Sequence, residues 1–197
     1  LNMENQIDYL IGFVQKKNQQ QPPKIYHDAQ KVALLMQQFA SARKVNWNYE
    51  EPELKVINHI WNAENGLILN GAVGNGKTTL FRLANDALNL MGQKCEMINV
   101  AKLCSLVAQN GEIEILKRES GWLILDDLGA EQENVRNYGN NLEPIKQLLF
   151  MRYESKARTF VTTNYNAEMM KSKYGERLAD RFKEMFKVFT FYGSSKR

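Results

Sequence analysis

Gly66-Leu67-Ile68-Leu69-Asn70-Gly71-Ala72-Val73-Gly74-Asn75-Gly76-Lys77-Thr78-Thr79 is the stretch that decides how this chain reads. A continuous apolar run ends in a glycine-rich turn, and Leu80, Leu83, Ala84 and Ala87 then recur at helical spacing. The turn fits G-x-x-x-x-G-K-[ST] at every specified position. Its spacing has a physical origin. Glycines let successive backbone N–H groups point inward around an anion with no side chain in the way. A helix starting there adds unpaired N–H groups and the positive end of its dipole. Gly71, Ala72, Val73, Gly74, Asn75, Gly76, Lys77, Thr78 and Thr79 thus read as a cradle for a triphosphate such as ATP. Lys77 would reach the terminal phosphates, and the Thr78 hydroxyl would ligate Mg²⁺. The glycines run G-x-x-G-x-G, so the dinucleotide fingerprint G-x-G-x-x-G is excluded.

Working outward, four further apolar runs follow at 95–100, 122–125, 159–162 and 188–191. Helical patterns near 77–92, 101–119, 142–155 and 166–185 separate them. Apolar runs alternating with helices predict an α/β fold with a parallel sheet covered on both faces. Ligands of such sheets sit beyond the carboxyl ends of the strands, so the residues at those ends carry the chemistry.

Three such ends stand out. Trp122-Leu123-Ile124-Leu125 closes on Asp126-Asp127-Leu128-Gly129. Asp126 suits Mg²⁺ beside Thr78, and Asp127 is the candidate for polarising an attacking water. The run at 159–162 closes on Thr162-Thr163-Asn164, whose amide is a candidate for holding water or the terminal phosphate; taken alone it reads as a turn asparagine. Glu176-Arg177-Leu178-Ala179-Asp180-Arg181-Phe182 sets Arg177 and Arg181 on one helix face. The pair reads either as a solvated stripe or as an arginine finger reaching a neighbouring subunit's nucleotide.

Composition bounds the rest. The 197 residues are 44% apolar and 24% charged, enough for one domain with its own core and no need of metal or disulfide staples. No stretch approaches the ~20 apolar residues of a membrane span, and the start lacks the basic-then-apolar order of a secretory signal. Cys95 and Cys104 fall inside apolar periodic segments and read as small buried hydrophobes of a cytoplasmic protein, not as a disulfide. His27 and His59 have no ligand cluster at zinc spacing. Residues 152–197 carry 11 Lys and Arg against 5 Asp and Glu. This local excess fits a polyanionic partner or a basic solvated face.

The first fifty residues differ. Met3, Ile7, Leu10, Ile11 and Val14 form an apolar helical stripe, and a polar stretch closing on Pro22-Pro23 reads as a linker. Helices follow at about 28–43 and 52–62. The division is a helical docking and linker segment, 1–50, and a nucleotide-binding domain, 51–197.

Taken in order, these motifs resemble the AAA+ ATPases of the DnaC/IstB type, a family of bacterial and phage helicase loaders and ATPase partners of transposases. The resemblance covers about residues 50–197. Leu125-Asp126-Asp127-Leu128-Gly129 is similar to the family's Walker B, Arg152-Tyr153 to its "RY" helix end, and Thr162-Thr163-Asn164 to its sensor 1. Glu176 to Phe182 resembles box VII, whose final arginine acts in trans; here that is Arg181. Gly193-Ser194-Ser195-Lys196-Arg197 resembles the G-x-S-x-R ending, which places Arg197 near nucleotide. The resemblance implies a five-stranded sheet of order 5-1-4-3-2 without a C-terminal lid domain, and ATP bound between subunits of a homo-oligomeric ring or spiral. It also implies single-stranded DNA in the pore, contacted from the segment 101–119 with Lys102, Lys117 and Arg118.

The expected function is an ATPase that couples nucleotide state to single-stranded DNA and a replicative helicase, with the 3–14 stripe docking the partner. The alternatives are a transposase-associated regulator coating duplex DNA, an adaptor that binds ATP without hydrolysis, and a small-molecule kinase. Asp126, Asp127, Asn164 and Arg181 together disfavour the adaptor, and the Thr-Thr-Asn strand tip and box VII disfavour the kinase.

Overall fold

Asp28 opens the first described helix. Its carboxylate accepts from the amides of Gln30 (2.8 Å) and Lys31 (3.4 Å), which a helix start leaves without partners. The structure, a computed structural model, describes residues 27–191. Helix α1 (Ala29–Ala42) is followed by α2 (Glu51–Asn62), which starts on a reciprocal Glu50–Glu53 capping box with Pro52 in its first turn. Then come β1 (Gly66–Gly71), α3 (Lys77–Leu90), β2 (Cys95–Asn99), α4 (Val100–Asn110), α5 (Ile113–Leu116) and β3 (Trp122–Leu128). A hairpin of β4 (Val135–Asn137) and β5 (Asn140–Leu142) precedes α6 (Pro144–Glu154) and β6 (Thr159–Thr163). The described chain closes with α7 (Ala167–Tyr174), α8 (Glu176–Met185) and β7 (Phe186–Phe191).

The main sheet is parallel throughout, in the order β2-β3-β6-β1-β7. Leu67 of β1, which lies between β6 and the edge strand β7, pairs with Phe160 on one side and Lys187 on the other. The hairpin, which no sequence pattern predicted, adds two strands to the count, so the numerals differ from 5-1-4-3-2. With the five strands of the main sheet counted alone in chain order, the arrangement reads 5-1-4-3-2 from the β7 edge.

Alternate residues of β1 feed two cores. Leu67 and Leu69 join Met36, Ile57, Leu80 and Phe81 under α1, α2 and α3. Ile68 joins Leu103, Leu148, Met170 and Leu178 under α4, α6, α7 and α8. A strand buried on both faces needs apolar residues at every position, which is why it reads as a run and not an alternation. Each such leucine contributes about 1.5–3 kcal/mol. Val32, Met36, Ala40 and Trp47 belong to the first core, so residues 29–47 pack as part of the sheet domain.

At the amino-terminal ends of the strands stands Arg152, fully buried on α6. Its guanidinium donates to Thr159 Oγ1 (2.7 Å) and to the carbonyls of Gly121 (2.8 Å), Arg158 (2.7 Å), Ser120 (3.3 Å) and Arg118. Burial pushes its pKa down to about 10, so it stays charged at neutral pH.

Two helices expected to be continuous are broken. The 101–119 pattern divides at Gly111 into α4 and α5, and the 166–185 pattern divides at Gly175 into α7 and α8. The apolar stripe of Met3 to Val14, the linker at 15–24 and Arg197 lie outside the described residues. Among the described residues no helix is long and apolar enough to cross a membrane, and no His/Cys/Asp/Glu group forms a metal cluster.

Candidate functional site

The carboxyl ends of β1, β3 and β6 converge on the glycine-rich turn. Between β1 and α3 the backbone turns through Gly74 (φ 90°) and Gly76 (φ 83°), so α3 starts directly from a left-handed residue. Gly76 is required twice over. Its φ disfavours side chains, and a Cβ there would sit 2.3 Å from the Trp47 ring packed against the loop. Asn75, almost fully buried, donates from Nδ2 to the Phe191 carbonyl (3.0 Å), tying the loop to the end of β7.

Lys77 is 6% exposed, and its ammonium makes three hydrogen bonds. The acceptors are the carbonyls of Gly71 (2.6 Å) and Ala72 (2.8 Å) and the side-chain oxygen of Asn164 (2.8 Å). Burial lowers its pKa, and the carboxylates of Asp127 and Asp126 oppose that shift. The Thr78 hydroxyl donates to Asp126 Oδ1 (2.8 Å). Thr162 donates to the same oxygen (2.7 Å) and accepts from the Asp127 amide (2.8 Å). Asp127 has φ 61°, and burial followed by the charge of Asp126 raises its carboxyl pKa, with Lys77 opposing.

Lys77, Thr78, Asp126 and Asn164 thus meet at one place. The Thr78 hydroxyl and the Asp126 carboxylate are hard oxygen donors already in contact, a set that fits Mg²⁺. Thr162 is part of the constellation too, although sequence reasoning gave it no role. A threonine in a strand is an ordinary β-former, and only the structure shows its hydroxyl bridging Asp126 to the Asp127 amide.

Arg181 lies against α6. Its guanidinium stacks on Tyr153 (4.4 Å) and Phe150 (4.7 Å) and pairs with Glu154 (3.2 Å). Arg177 leans on Phe150 from 5.6 Å. Of the three cations expected to meet DNA, Lys102 is exposed on α4 and Lys117 pairs with Glu114 (2.8 Å). Arg118 needs correction. Its side chain is only 10% exposed and bridges Glu96 (2.7 Å) and Glu114 (2.9 Å), fastening α5 to β2.

A further feature was not legible in the sequence. Tyr138 is 94% exposed at the tip of the β4–β5 hairpin, whose two turn residues, Tyr138 and Gly139, have φ of 46° and 87°. Such a left-handed pair makes the tight turn that matches strand twist. Asn137 donates to the Ala108 carbonyl (3.0 Å), holding the hairpin against α4.

No protein-family profile matches the chain, and no curated protein matches it. Solved structures do. DnaI superposes with a TM-score of 0.57 at 20% identity, covering 87% of this chain and 85% of that one. The DnaC helicase loader superposes at 0.52 with 24% identity, covering 84% of this chain and 92% of that one. The replication initiator DnaA bound to AMPPCP and single-stranded DNA superposes at 0.59 with 16% identity, over 77% of this chain and 50% of that one. The chain has the fold that DnaI and the DnaC helicase loader share.

Proposed function

We propose that this chain is a Mg²⁺-dependent ATPase of DNA replication, resembling a helicase loader, that couples its nucleotide state to single-stranded DNA and to a replicative helicase. The convergence of Lys77, Thr78, Asp126 and Asn164 carries the reading. The helicase loader and the replication initiator among the similar structures support it.

Thr78 and Asp126 would hold Mg²⁺, which when bound neutralises charge on the phosphates. The backbone amides of Ala72 to Thr79 wrap the triphosphate. Lys77 exchanges its protein acceptors for phosphate oxygens, and this frees the Asn164 amide to orient water. Asp127 accepts a hydrogen bond from that water and aligns it for attack on the terminal phosphorus. Positioning and charge stabilisation supply most of the catalysis. Arg181 of a second copy completes the site in trans, where such groups give ~10³–10⁵ in rate. ATP turnover of the full chain with single-stranded DNA, alongside capture of a replicative helicase, tests the proposal. Loss of capture on deleting residues 1–24, with ATP binding intact, is the outcome expected for a docking segment there.

DNA contact is assigned to α4 and the hairpin resting on it. Tyr138 offers a free ring, and Arg136 and Lys102 are exposed cations on the same assembly. A ring with neighbouring cations is how sequence-tolerant sites stack bases and follow phosphates. Tyr138→Ala is expected to weaken binding of a labelled oligo-dT by about 1–3 kcal/mol, roughly 5- to 150-fold, in fluorescence anisotropy. ATP-induced thermal stabilisation should stay unchanged. Undiminished oligo-dT affinity would remove the hairpin from the interface.

A further inference from the structure

The turn at the carboxyl end of β3 is held by a buried carboxylate that the proposed chemistry does not use. Asp127 is left-handed, a strained conformation for a residue with a side chain, and it persists only where its surroundings hold it. It opens a tight turn in which the Ala130 amide donates to the Asp127 carbonyl (3.0 Å). Inside that turn the Gly129 amide donates to Glu131 Oε2 (2.8 Å). The Glu131 side chain is 1% exposed. Its other oxygen accepts from the Tyr174 hydroxyl (2.5 Å) and lies 3.4 Å from the Lys173 ammonium. Lys173 also donates to the carbonyls of Gly129 (2.6 Å) and Glu131 (2.7 Å). Next to it, Thr163 donates to the Leu128 carbonyl (2.6 Å). Asp127 and Leu128 are thus fastened to the end of β6 and Gly129 to α7, and Glu131 is the carboxylate that ties the Gly129 amide to Lys173 and Tyr174.

We propose that Glu131, gripped by Lys173 and Tyr174, is a positioning residue that fixes the turn Asp127–Ala130 and so aims the Asp127 carboxylate. This rests on the assignment of Asp127 as the group that aligns water. A carboxylate suits the task because it accepts from an amide, a phenol and an ammonium at once and donates to none. In Glu131→Gln one oxygen becomes an NH₂ group facing those donors, and the turn loses a hydrogen-bond partner that water cannot replace in a buried site.

The test measures steady-state ATP turnover of the full chain with single-stranded DNA in four proteins: wild type, Glu131→Gln, Asp127→Asn and the double variant. Glu131→Gln is expected to lower kcat at least 10-fold, with KM within twofold and the Mg²⁺–ATP thermal shift retained. In the Asp127→Asn background it should lower kcat no further, because its effect passes through Asp127. Wild-type turnover in Glu131→Gln, or the same fold loss in both backgrounds, would overturn the proposal; the second result marks a purely structural role. If Glu131→Gln does not fold, Tyr174→Phe removes one donor from the same carboxylate and is read by the same criteria. If the wild type itself turns over no ATP, the functional reading fails, and positioning is then read from hydrogen exchange at Ala130. Exchange at least 10-fold faster in the variant supports a fixed turn, and equal exchange rejects it.

Discussion

Lys77→Ala is expected to erase the thermal stabilisation that ATP with Mg²⁺ gives the wild type. At a hundred times Kd a ligand that binds only the folded state adds ~2.7 kcal/mol, which at this chain length raises Tm by roughly 5–10 °C. The Lys77 ammonium is drawn in between the glycine-rich turn and the end of β6, where it reaches three acceptors. Replacing those neutral acceptors by phosphate oxygens puts an anion opposite the ammonium and adds ion-pair attraction to hydrogen bonds that are already charge-assisted. Alanine offers nothing to make that exchange. The unliganded variant should still fold, because the Gly71 and Ala72 carbonyls gain access to water. Differential scanning fluorimetry with and without Mg²⁺–ATP checks this, and an equal shift in the variant would show that the loop does not hold the phosphates.

Arg152→Ala is expected to cost more than about 4 kcal/mol, lowering Tm by at least about 8–16 °C. The buried side chain joins the loop before β3, the loop before β6 and the start of β6 through five hydrogen bonds, the one to Thr159 buried and the others half-buried. Removing it leaves four carbonyls and the Thr159 hydroxyl without that donor and opens a cavity at the amino-terminal ends of the strands. Arg152→Lys should recover only part of the loss, since an ammonium cannot present a planar fork to acceptors on several sides. Urea unfolding followed by circular dichroism measures both variants. A change below about 1 kcal/mol in the alanine variant would contradict this account.

How far the sequence was legible follows from local chemistry. The central strands could be read because burial on both faces demands unbroken apolar runs. β7 starts two residues before the run at 188–191 because, as an edge strand, it mixes the buried Phe186 with the exposed Lys187 and Val188. The hairpin was missed because Val135-Arg136-Asn137 and Asn140-Asn141-Leu142 are too short and polar to show a period. The helix breaks at Gly111 and Gly175 were missed because one glycine does not interrupt apolar spacing on either side. In the site, Lys77, Thr78 and Asp126 stood out within their motifs, whereas Asn164 alone reads as a turn asparagine and gains meaning only beside them. The hydrogen bonds of Thr162 and Glu131 run across long sequence separations or within a folded turn, and such contacts leave no periodic trace. Arg118 read as a surface cation because its partner Glu96 stands 22 residues away.

The indole of Trp47, seated against Gly76, gives the molecule an intrinsic optical readout. Its emission is expected to follow the position of that loop, whereas Trp61 contacts Met91 and Trp122 lies beneath Arg158. Loop rearrangement can therefore be followed in real time on unlabelled protein, with a Trp47→Phe blank isolating the signal.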